Sequence, residues 1–125
     1  MVQLKFYYLD VRLGYKIIEL MEHKAKELGY DIQFKLQTKP IQEIPKDYDA
    51  YLIHISDCSK QMVQELRKEN PWCKIYGVFR GGGIEDGYGF DADYGILTGY
   101  SIEQILTNAV DNFTKKTDLE QITNS

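Results

Sequence analysis

The chain has 125 residues, of which 43% are hydrophobic and 27% charged, and its formal net charge is -4. That length suits one domain able to bury its own core, and the balance argues for a folded chain rather than a disordered one. No basic cluster marks a nucleic-acid face, and no apolar run reaches the length of a membrane span, so neither nucleic acid nor membrane is an expected partner.

Residues 2–9, VQLKFYYL, form a β-branched and aromatic run that suits a buried strand. Met1 leads straight into it without a secretory pattern, so the expected compartment is the cytoplasm, with Cys58 and Cys73 reduced. Without CxxC spacing the two cysteines are expected to be ordinary core or surface thiols. Over 13–28 the apolar residues Leu13, Ile17, Leu20, Met21, Ala25 and Leu28 make one stripe of an amphipathic helix, which Gly29 ends. Over 30–38, Tyr30, Ile32, Phe34 and Leu36 alternate with polar residues at the strand period.

The segment 39–49 contains Pro40 and Pro45 and makes a poor helix. A buried strand is expected over 50–56, AYLIHIS, and a helix over 60–69 with Met62, Val63 and Leu66 on its inner side. Asn70 and Pro71 stop that helix. CKIYGVF, residues 73–79, reads as a fourth strand, followed by Arg80, three glycines and an acidic loop reaching Asp91. A short fifth strand is expected over 94–97. Ser101 is expected to cap a last helix whose inner face carries Ile102, Ile105, Leu106, Ala109, Val110 and Phe113. The ten tyrosines read as compositional bias.

Strands alternating with helices imply an α/β fold with a parallel sheet and right-handed crossovers. The expected architecture is flavodoxin-like: a doubly wound, three-layer, five-stranded sheet in the order 2-1-3-4-5. Residues 1–116 make the single domain and 117–125 a polar tail that frays. The crossovers 39–49 and 80–93 lack helical periodicity.

In such a sheet ligands bind beyond the carboxyl ends of the strands. That rule selects Asp10, Arg12, Ser56, Asp57, Arg80, Gly81, Gly82, Gly83 and Thr98 as a candidate pocket. Asp10 and Asp57 are the residues that could hold Mg2+; the plainer alternative is that they cap loops, with Asp57 or Ser59 capping the following helix. Arg12 and Arg80 could clamp a phosphate or pair with Asp10, Asp57 or Asp86. The glycines could let backbone amides approach a phosphate, but they match neither phosphate-loop spacing. His54, inside an apolar strand, reads as a core histidine, and His23 as a surface residue. Cys58 with His54 is the nearest approach to a nucleophile with its base, yet residues four apart on a strand stand far apart. No catalytic residue is assigned.

The segments LKFYYLD, KELGYDI, DYDAYLIHIS, CKIYGVF and DADYGILTGYSIEQIL resemble, in order and texture, a response-regulator receiver domain across nearly the whole chain. The resemblance implies a receiver fold, but its functional positions depart from the pattern. The acidic pair after strand one is Asp10 followed by Val11 and Arg12. The phosphoacceptor position falls nearest His54, or at Asp57 if the strand is longer. Phe79 and Arg80 stand in place of the hydroxyl residue, Thr98 in place of the lysine and Gly99 in place of the proline. A degenerate receiver of this kind implies a regulatory domain that binds a protein partner or a second copy. A weaker resemblance, to the cobalamin-binding domain, rests on Asp10 with nearby Gly14, on Ser56 and on the glycines; the cobalt-ligating histidine would fall at Arg12. It implies the alternative function, binding of a nucleotide, a phosphate ester or a corrinoid. A small metal-dependent enzyme built on Asp10 or Asp57 is the third reading.

Overall fold

The structure, a computed structural model, describes residues 3–11, 14–54, 57–78, 90–94 and 99–124. The elements run β1 (Leu4–Leu9), α1 (Gly14–Glu27), β2 (Ile32–Gln37), β3 (Ala50–His54), α2 (Lys60–Glu69), β4 (Lys74–Val78), β5 (Ala92–Tyr94) and α3 (Gly99–Asn124). All strand pairs are parallel, in the order β2-β1-β3-β4-β5. The sheet is carried by four strands. Among the described residues β5 spans Ala92–Tyr94 and pairs with β4 at Tyr76, Gly77 and Val78, and most of the expected 94–97 lies outside them. It begins at Ala92, ahead of the expected 94–97, because Asp91 fastens it: the Asp91 amide donates to the Ile75 carbonyl at 2.8 Å and its Oδ2 accepts from the Ile75 amide at 2.7 Å. The α/β arrangement of a parallel sheet with, among the described residues, three helices is consistent with a flavodoxin-like fold.

Two cores lie on opposite faces of the sheet. The larger joins Leu4, Phe6, Tyr8, Ala50, Leu52 and Tyr76 of the sheet to α1 and α3. The smaller joins Tyr7, Leu9, Tyr51, Ile53 and Ile75 to α2 and to Ile44 of the segment 38–49, which is without helix. The alternation of β2 follows from this imbalance. Ile32, Phe34 and Leu36 pack against the larger core, whereas Gln33 and Lys35 on the other face are exposed. A strand covered on one side only reads as alternating, and one covered on both reads as continuously apolar. The tyrosines are more than bias: Tyr7, Tyr8, Tyr51 and Tyr76 are among the largest fully buried side chains.

α1 buries Ile18, Met21 and Ala25, with Ile17 beside them; Leu20, expected on the stripe, is 55% exposed. Its end is a Schellman motif, with the Tyr30 amide donating to the Ala25 carbonyl at 2.8 Å and the Gly29 amide to the Lys26 carbonyl at 3.1 Å. Gly29 has φ 75° and its missing Cβ would meet open space. Backbone strain alone therefore penalises a side chain there. Gly29→Ala is expected to cost about 1–2 kcal/mol in urea unfolding, and a cost near zero would mean that the turn rearranges.

Ser59 caps α2, its Oγ accepting from the Met62 amide at 3.2 Å, and Val63 and Leu66 are buried beneath it. Asp57 does not cap. Ser101 is likewise not an N-cap, since it lies inside α3. Nor does α3 stop where a fraying tail was expected; it continues to Asn124. Phe113 packs against the larger core, and the residues after it contain no proline or glycine to break the helix.

Candidate functional site

β1 and β3 are neighbours whose register pairs Leu9 with Ile53, so the next pair along is Asp10 and His54. By strand alternation both belong to the face that carries α1 and α3. The Asp10 amide donates to the Gln37 carbonyl at 3.2 Å, extending the β1–β2 ladder by one residue. Asp10 is only 3% exposed, and Tyr8 Oη donates to its Oδ2 at 3.2 Å. Tyr8 was missing from the sequence reading. The signal was its i, i+2 spacing from Asp10, which puts both side chains on one face of a strand.

Asp57 lies three residues beyond the end of β3. Its Oδ2 accepts from the Val11 amide at 3.0 Å, so it ties the turn after β3 to the residue that follows Asp10. The structure thus gathers Asp10, His54 and Asp57 at one end of the central strands. Arg12, Ser56, Arg80, Gly81, Gly82, Gly83 and Thr98 lie outside the described residues.

His54 is 6% exposed, as expected of a core histidine. Cys58 packs against the smaller core, on the opposite side of the sheet from the face of His54. Burial, with the negative charge of Asp57 beside it, pushes the Cys58 thiol up to about 12, and burial pushes Cys73 up to about 11. Neither is a thiolate at neutral pH, and the nucleophile is the thiolate. Among the described residues no group of three or more His, Cys, Asp or Glu gathers as a metal site. Asp10 and Asp57 each have a carboxylate oxygen accepting a protein hydrogen bond, and no second acidic residue follows Asp10. Among the described residues no helix is long and apolar enough to cross a membrane.

No family model and no curated protein matches the sequence. Solved structures do match in fold. A crystal structure of NtrX from Brucella abortus in complex with ADP superposes with a TM-score of 0.65 at 11% identity; it covers 97% of this chain, which spans only 29% of that one. A CheY-like response regulator receiver domain protein from Methanospirillum hungatei JF-1 gives 0.62 at 13% identity, over 91% of this chain and 99% of that one. A response regulator from Burkholderia pseudomallei, solved with a phosphorylated aspartic acid, calcium and citrate, gives 0.55 at 14% identity, over 90% and 72%. The chain has a receiver-like fold.

Proposed function

We propose that this receiver-like domain is regulatory and non-catalytic, acting by binding another protein or a second copy of itself, and that it is not phosphorylated by the usual aspartyl route. One observation carries the reading. β3 ends at His54, in register beside Asp10, while Asp57 lies in the turn beyond and its carboxylate holds the Val11 amide. An aspartate at the strand end would present a carboxylate nucleophile to a phosphoryl donor; a buried imidazole cannot form an acyl phosphate. A single acidic residue after β1 also weakens the charge stabilisation that phosphoryl transfer requires. The scaffold is retained while these positions change, which suits a domain whose surface does the work.

Amide-resolved NMR with and without magnesium plus beryllofluoride, an acyl-phosphate mimic, tests this. The expected spectrum is unchanged at Asp10, Val11, His54 and Asp57. Shifts centred on those amides would establish a working phosphorylation pocket and remove the proposal.

A further inference from the structure

On the α2 face, α2 is the only helix among the described residues, and it lies between the segment 38–49 and Asp91 at the start of β5. Its last turn grips both. Toward the segment 38–49, Asn70 Nδ2 donates to the Tyr48 carbonyl at 2.9 Å and to the Lys46 carbonyl at 3.1 Å. Glu69 pairs with Lys46 at 2.7 Å. Beneath this, buried Tyr51 Oη donates to the Pro45 carbonyl at 2.6 Å and accepts from the Tyr48 amide at 3.1 Å. Toward the β4–β5 edge, Arg67 Nη2 donates to Asp91 Oδ2 at 2.6 Å and Nη1 to the Cys73 carbonyl at 2.8 Å. The same Asp91 oxygen accepts from the Ile75 amide.

Arg67 lies in the last turn and Asn70 is the C-cap three residues on, its amide donating to the Leu66 carbonyl at 2.8 Å, so the two are tied to the same helix end. We infer that the last turn of α2 is a two-armed clasp, which makes the segment 38–49 and the β4–β5 edge one cooperative unit. A displacement of α2 then loosens both flanks together. Release of the 38–49 arm withdraws Ile44 from the smaller core and uncovers Tyr7 and Tyr51, the buried aromatic surface beneath it. This device is independent of whether the strand-end site is phosphorylated.

Native-state hydrogen exchange in low urea tests the coupling in the unaltered protein. The Tyr48 and Asp91 amides should share one opening reaction with one urea dependence, distinct from global unfolding. Asn70→Ala should then speed exchange at Tyr48 by about tenfold, the size expected for lost hydrogen bonds, and at Asp91 and Ile75 by a similar factor. Arg67→Gln should produce the reciprocal pattern. If each substitution changes only its own flank, or if the two wild-type amides open with different urea dependences, the clasp is not cooperative and the inference falls. The wild-type comparison decides the matter even if a variant does not fold.

Discussion

Leu66→Ala is expected to lower the unfolding free energy by about 2–5 kcal/mol, the range for emptying a fully buried leucine site. Leu66 is 0% exposed and lies with Val63, Tyr51, Ile53 and Ile75 in the smaller core. That face has one helix, α2, among its described residues. Equilibrium urea unfolding at unchanged slope measures the effect. Leu20→Ala, at a site 55% exposed on α1, serves as the control and should fall within about 0.5 kcal/mol of wild type. A loss below about 1 kcal/mol for Leu66→Ala would mean that α2 is loosely docked, and the clasp would fail with it.

Alkaline pH is expected to destabilise the fold from about pH 9 upward. Burial raises Tyr7 to about 12, with a further push from Tyr48, and burial also raises Tyr51, Cys58 and Cys73. Each of these groups is neutral when protonated, so its neutral form is favoured in the folded state. The unfolded chain loses the corresponding protons first, its thiols near about 8.5 and its tyrosines near about 10. The folded state therefore binds more protons through this window, and stability falls as pH rises. It is fully present below the unfolded values and is lost through the raised ones. The shift of Tyr7 alone corresponds to about 2–3 kcal/mol by pH 12, as an order of magnitude. Urea midpoints should drop steadily between about pH 9 and about pH 11. Tyr7→Phe, which keeps the ring beside Tyr48 and Tyr51, should flatten the upper part of the slope. A level profile across that window would show that these groups titrate alike in both states.

The two strand-end carboxylates were legible in the sequence because the rule that selects them needs only the ends of β1 and β3. What each carboxylate does was not legible. Asp57 read as a metal ligand or as a cap of a loop or helix; it holds a loop amide, that of Val11, a partner 46 residues away in the chain that only the parallel pairing of β1 with β3 brings near. His54 read as a core histidine, and it is buried; its place beside Asp10 depends on where β3 stops and on the register, neither of which a periodic pattern states.

By itself, the sequence determined the elements whose signals are local. Gly29 ends α1 because only a residue tolerant of positive φ closes that turn, and Ser59 and Asn70 bound α2 because caps act within a few residues. The alternation in β2 even recorded that one face of that strand, carrying Gln33 and Lys35, is exposed. Tertiary structure decided the rest. The three described residues of β5 are too few to show a period, and Asp91 sets their start through bonds to Ile75 and Arg67. The segment 38–49 is held by Tyr51, Asn70 and Ile44, whose contacts form only once the sheet and α2 are in place. Backbone without internal repeating hydrogen bonds takes its conformation from what surrounds it, and those surroundings lie elsewhere in the chain.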